Sequence, residues 1–161
     1  MHRYDAHGDY LGVAPASADG AFQCPHAMVW DGENILLAAR EHNRVVRIDI
    51  DGHLIGVLAA NLRRPSCLAL DGDTIWVGEL EASIVQLDHS GRLIRRLGLD
   101  AAAPGRPGWP NALDAAGTTI APDPPADRFN SPHAIAVDSR GTIHVAEWLV
   151  GGRHVRISPS A

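Results

Sequence analysis

The sequence predicts an all-β chain built as a tandem array of four-stranded antiparallel meanders, and three observations predict it. One stretch is written three times. Pro25-His26-Ala27-Met28-Val29-Trp30-Asp31-Gly32 leads into Ile35-Leu36-Leu37-Ala38-Ala39-Arg40. Pro65-Ser66-Cys67-Leu68-Ala69-Leu70-Asp71-Gly72 leads into Ile75-Trp76-Val77-Gly78-Glu79-Leu80, and Phe129-Asn130-Ser131-Pro132-His133 opens a third copy that ends at Glu147-Trp148. Self-similarity of this kind marks a repeat architecture. Two of the copies are followed by alternating apolar runs joined through Asp51-Gly52 or Ser90-Gly91, the strongest short-range signal for a hairpin. No segment sustains a helical period.

Taken in order, residues 1–13 hold two strands, His2 to Tyr4 and Tyr10 to Val13, around an Asp5-Ala6-His7-Gly8 turn, and they match the last two strands of a unit. Residues 22–59 make a complete unit, whose second hairpin turns from Val45-Val46-Arg47-Ile48-Asp49 into Leu54-Ile55-Gly56-Val57-Leu58. Residues 61–98 make another, with Ile84-Val85-Gln86-Leu87-Asp88 turning into Leu93-Ile94-Arg95-Arg96-Leu97. Residues 99–128 break the pattern. They are rich in Ala, Pro and Gly, and the expectation is a loop without its own structure: a tether, or a flap whose Trp109 covers one end of the array. Residues 129–158 form an incomplete last unit, with Val155-Arg156-Ile157 as its third strand. A four-stranded unit of roughly 40 residues is the period of a β-propeller blade. The fold class is therefore an all-β propeller of four-stranded antiparallel blades, with about three blades present.

Composition narrows the function classes. At 161 residues the chain is long enough for a real core. A formal charge of −5 leaves no basic footprint for nucleic acid. No apolar run approaches the roughly 20 residues of a membrane-spanning helix. The first residues, Met1-His2-Arg3-Tyr4-Asp5, lack a signal-peptide pattern, so the cytoplasm is the expected location. Cys24 and Cys67 stand at different offsets from their prolines, without a C-x-x-C, and are read as thiols rather than a disulfide.

The pattern F-x-x-P-x-x-x-x-x-D-x-x-G-x-I-x-V-A-[DE], followed by N-R-V-x-R-I-D-x-D-G, resembles NHL repeats over nearly all of the chain outside residues 99–128. That resemblance implies a propeller, commonly six-bladed, of which this chain is half. Pro25-His26, Pro132-His133 and the run from Ala38 to Arg44 are similar to the catalytic propeller of peptidylglycine amidating lyases. Blades close a ring by packing on two neighbours each, so three blades leave open faces and unpaired strand edges. Either the chain is the C-terminal half of a longer protein, or a homodimer completes the ring. Tyr10 to Val13 could supply the missing fourth strand of the last blade, although His2 to Tyr4 then duplicates a strand already present.

In a meander the start of the first strand and the end of the second share one rim. That rim gathers His26, Ser66 and His133, together with Arg40, Glu41, Glu79, Glu147 and Trp148. The resemblance to the lyases implies zinc held by alternate-blade histidines, here His26 and His133, with Arg40 as a catalytic residue. The third histidine and the tyrosine of the lyases have no counterpart in this chain. Ala134 replaces the acidic residue linked to calcium, which counts against calcium. A histidine in such a place can equally hydrogen-bond the backbone of a neighbouring blade, and Arg40 can equally pair with Glu41 or Glu79. Glu79, Glu147 and Trp148 are the candidate ligand-binding residues of the channel mouth. The two glutamates fill the acidic position of the repeat, which ordinarily serves turn hydrogen bonding, so they are not a catalytic pair. His42, His89 and His144 show no ligand spacing, and Arg63-Arg64 and Arg92 with Arg95-Arg96 read as solvated edges. The expected function is a binding or scaffold module taking a peptide, a small molecule or a protein partner. The alternative is a zinc-dependent lyase-like or hydrolytic enzyme, incomplete in one chain.

Overall fold

The computed structural model describes residues 2–14 and 22–159. The first unit carries β3 (Pro25–Trp30), β4 (Ile35–Ala39), β5 (Arg44–Ile48) and β6 (Leu54–Ala59), preceded by the hairpin β1 (His2–Tyr4) and β2 (Tyr10–Val13). The second carries β7 (Pro65–Asp71), β8 (Thr74–Glu79), β9 (Ser83–Asp88) and β10 (Leu93–Leu97). A short hairpin, β11 (Ala112–Leu113) and β12 (Thr119–Ile120), precedes β13 (Pro132–Val137), β14 (Ile143–Glu147) and β15 (Arg153–Ile157). Every pairing is antiparallel, and strands follow in chain order within each sheet. Apart from two three-residue 3-10 turns, the described chain is strand and loop, so the all-β propeller class holds. No helix among the described residues is long and apolar enough to cross a membrane.

The hairpins close through one recurring device. An aspartate at the end of a strand accepts backbone N–H groups two and four residues on, as Asp5, Asp88, Asp114 and Asp138 do. That contact fixes the turn locally, before any tertiary packing.

The sheets pack face to face through their first strands. Contacts between units concentrate on β3, β7 and β13 and thin out towards β6 and β10, so the sheets fan from a common inner edge. The residue alternation decides which side faces which neighbour. Leu36, Val45 and Leu58 meet Ile75, Val77, Val85 and Leu87 of the second sheet. Trp76 and Ile84 leave the other side of that sheet to meet Ile143, Val145 and Phe129. Burying side chains of this size contributes about 1.5–3 kcal/mol each. The surface ion pairs contribute about 0–1 kcal/mol each, so the apolar clusters hold the sheets together.

The registers of the three sheets are equivalent. Leu36 stands opposite Arg47 and Ala38 opposite Val45; Trp76 opposite Gln86 and Gly78 opposite Ile84; His144 opposite Arg156 and Ala146 opposite His154. The side of each sheet that faces its predecessor is uniformly branched and apolar: Ile35, Leu37, Val46 and Ile48, then Ile75, Val77, Val85 and Leu87, then Ile143, Val145, Val155 and Ile157. On the first sheet that side is only partly covered, leaving Met28 and Trp30 60% and 51% exposed.

The hairpin expected around the Asp5 turn forms, with β1 paired to β2, so the alternative in which Tyr10 to Val13 extends the last sheet is not the arrangement adopted. Residues 99–128 are neither bare tether nor structureless loop. They carry β11–β12, and they are tied down where Asn130 Nδ2 donates to the Pro110 carbonyl and Val150 N to Asn111 Oδ1, both at 2.6 Å.

Candidate functional site

The rim is built by a repeated backbone closure. The residue after each second strand donates its N–H to the carbonyl just before the inner strand: Arg40 to Cys24 at 3.2 Å, Leu80 to Arg64 at 2.9 Å and Trp148 to Ser131 at 3.0 Å. Arg40, Leu80 and Trp148 are thus equivalent positions, as are His26, Ser66 and His133. The middle unit is apolar or buried at both, whereas the outer units place Arg40, His26, His133 and Trp148 around it.

The structure brings the two histidines together. Their rings meet edge to face with centroids 4.8 Å apart, and His133 packs beside Trp148 at 5.8 Å. Ser66 sits buried between the units, its hydroxyl within 2.6 Å of the Pro132 carbonyl and 3.1 Å of the Gly78 carbonyl. Its own carbonyl lies 2.7 Å from His26 Nδ1. His26 therefore does hydrogen-bond a neighbouring sheet, and that bond fixes its ring with Nε2 turned away from Ser66. His133 makes no hydrogen bond to any described residue, and burial, His26 and Arg40 together hold its imidazole below its usual pKa. It is therefore neutral near pH 7, with one N–H and one lone pair to offer.

Arg40 donates from Nε to Glu41 at 2.9 Å, and Glu41 also takes Arg64 at 2.7 Å. Arg64 first, and then Arg40, hold the Glu41 carboxyl below the usual carboxylate range. Trp148 keeps 58% of its surface and forms the apolar wall of the rim.

Glu79 and Glu147 are placed otherwise. Glu79 is fully buried and receives Arg96 through two nitrogens at 2.9 and 3.0 Å, the Arg63 amide at 2.9 Å and the Ser83 hydroxyl. Glu147 receives the Asn130 and Ser131 amides and Arg153 Nε. Both carboxylates are spent in tying the second strand to the segment before the inner strand, and neither turns towards the histidines. Arg96 is correspondingly a partner of Glu79 rather than part of a solvated edge. Trp109 donates its indole N–H to the Asn130 carbonyl at 3.0 Å, so the insertion roofs the Asn130 corner over a cavity of about 290 Å³.

Zinc finds two imidazoles at this rim. Among the described residues no three His, Cys, Asp or Glu side chains converge as a metal group, whereas a catalytic zinc site takes three protein ligands. The described residues alone do not supply the ligand set of a catalytic zinc.

No protein-family model and no curated protein matches the chain. Solved structures do. Virginiamycin B lyase from Staphylococcus aureus aligns at 16% identity and a TM-score of 0.54, over 99% of this chain and 48% of that one. A catalytically inactive form of that lyase with quinupristin aligns at 20% identity and a TM-score of 0.53, over 99% and 59%. A gluconolactonase from Xanthomonas campestris aligns at 17% identity and a TM-score of 0.50, over 76% and 34%. The chain thus spans between 34% and 59% of these structures. At such identities the likeness carries the fold alone, and the fold is propeller-type.

Proposed function

We propose that the chain is a ligand-binding portion of an NHL-type, six-bladed β-propeller that takes the polar end of a peptide or small molecule at the channel mouth. The observation that supports this most is the meeting of His26 and His133 from two different sheets, with the nitrogens of His133 unengaged by described residues. A neutral imidazole offers a donor and an acceptor, Arg40 supplies positive charge, and Trp148 supplies an apolar wall. A carboxylate or amide on an apolar body matches that combination. The remaining blades come from the rest of a longer protein or from a second copy.

The test is an NMR titration of the imidazole resonances with a pool of short peptides carrying free or amidated C-termini. Saturable shifts of His133 and the Trp148 indole, lost in His133→Ala, are expected. Shifts absent throughout the pool, or unchanged in that variant, defeat the reading. One feature favours a second reading, a zinc-dependent amidating-lyase-like or hydrolytic enzyme. A backbone carbonyl on His26 Nδ1 is the usual arrangement behind a metal-binding Nε2. Zinc that co-purifies with the full protein and disappears in both His26→Ala and His133→Ala would favour it over simple binding.

A further inference from the structure

The last sheet departs from its sisters at two positions on one side. Where the first sheet places Leu36 and Val45 and the second Trp76 and Ile84, the third places His144 and His154. In the sister sheets these positions are buried apolar contacts with the next sheet. In the third their rings are parallel, and His144 Nδ1 lies 3.2 Å from His154 Nε2. Behind His144, Asp138 Oδ2 stands 3.6 Å from the other ring nitrogen, Nε2.

We propose that His144 and His154 form a binding site for a divalent transition-metal ion such as zinc, nickel or copper, with Asp138 as the positioning residue behind His144. Adjacent nitrogens on a tetrahedral ion, at bonds of about 2.0–2.1 Å, lie about 3.3 Å apart. The two ring nitrogens already have that spacing. A carboxylate facing the second nitrogen of a ligating histidine sets its tautomer and leaves the first nitrogen as a lone pair. The Asp138 carboxylate is held in place by the Thr142 and Arg140 amides, which donate to its Oδ1 at 2.9 and 2.8 Å. Imidazole suits zinc, nickel and copper, and two such ligands leave the remaining positions to water or to donors from whatever covers this face. Two cations oppose metal here: Arg156, exposed and opposite His144 in the register, and Arg140, whose guanidinium lies 3.3 Å from the same Asp138 Oδ2 that faces His144. The site is separate from the rim: it uses neither His26 nor His133.

The test is titration of the full chain with copper or zinc alone, read by calorimetry and, for copper, by nitrogen hyperfine splitting in the electron paramagnetic resonance spectrum. The unaltered chain is expected to bind one ion with two nitrogen ligands at this face. His144→Leu with His154→Val, which copies the first sheet, should abolish that binding while the circular dichroism is retained. Asp138→Asn should weaken it by about 10–100-fold. Arg156→Gln should strengthen it, an outcome that a purely structural pair does not produce. His26→Ala with His133→Ala should leave it intact, which separates this site from the rim. No binding by the unaltered chain, or an unchanged stoichiometry in the apolar double variant, overturns the assignment.

Discussion

Replacing Glu79 by alanine is expected to destabilise the chain by about 3–4 kcal/mol while leaving the rim histidines in place. The carboxylate is fully buried and holds Arg96 at two points, the Arg63 amide and the Ser83 hydroxyl. Removing one partner of a buried pair costs about 3–5 kcal/mol, and a stranded amide about 1–3 kcal/mol. The Arg96 side chain is 28% exposed, so water recovers part of its solvation and the loss stays at the lower end of the buried-pair range. For a chain of this size the loss corresponds to a fall in Tm of roughly 6–16 °C, at about 2–4 °C per kcal/mol. Urea unfolding followed by circular dichroism measures it directly. Glu79→Gln, which keeps the shape and part of the hydrogen bonding, should lose about half as much. Glu79→Leu with Arg96→Leu should recover most of the stability, because an apolar pair of similar volume avoids desolvating two charges. A loss under about 1 kcal/mol for Glu79→Ala, or a double variant worse than either single one, would refute the anchoring role.

Two further outcomes follow from particular contacts. His133 titrates below its ordinary value of 6.5 because of burial, His26 and Arg40. As pH falls past 6.5 the unfolded chain takes up that proton first, so stability drops from there down to the folded pKa and is unaffected above 6.5. His133→Asn should flatten that slope, and Arg40→Gln should move the His133 NMR titration upwards; a midpoint that stays put sinks the argument. Gly91 has φ +84°, and a Cβ there would fall 1.8 Å from the Leu58 carbonyl of the neighbouring sheet. Gly91→Ala should therefore cost about 2–4 kcal/mol in urea unfolding, combining left-handed strain with overpacking. Gly117→Ala, at φ +80° with nothing within 4 Å, isolates the strain and should cost about 1–2 kcal/mol. Equal losses at the two positions would show that the contact between sheets contributes nothing.

Much of the fold was legible because its causes are local. Asp-led turns close the hairpins through their own backbone amides, and period-2 alternation sorts Leu36 from Leu37 and Ile75 from Trp76. The rim was legible for the same reason: chain order alone puts Pro25-His26 beside Ala39-Arg40, and Pro132-His133 beside Glu147-Trp148. One juxtaposition has a different cause: His144 meets His154, which lies ten positions on, across a hairpin. Aligning the three units at Leu36, Trp76 and His144 would have exposed the pair, because two apolar positions turn to imidazole together.

By itself, then, the sequence determined the strands of the three repeated units, their turns, the sidedness of each sheet and the positions that begin each inner strand and end each second one, all properties of one sheet and its own hairpins. Only the tertiary structure decided that His26 and His133 touch, that Arg40 pairs with Glu41 while Glu79 takes Arg96, and that residues 99–128 fold back onto Asn130. The meeting of His26 and His133 depends on how closely and at what angle one sheet packs against the next. That packing is set by side-chain volumes summed over whole faces, and no short stretch of chain contains the sum.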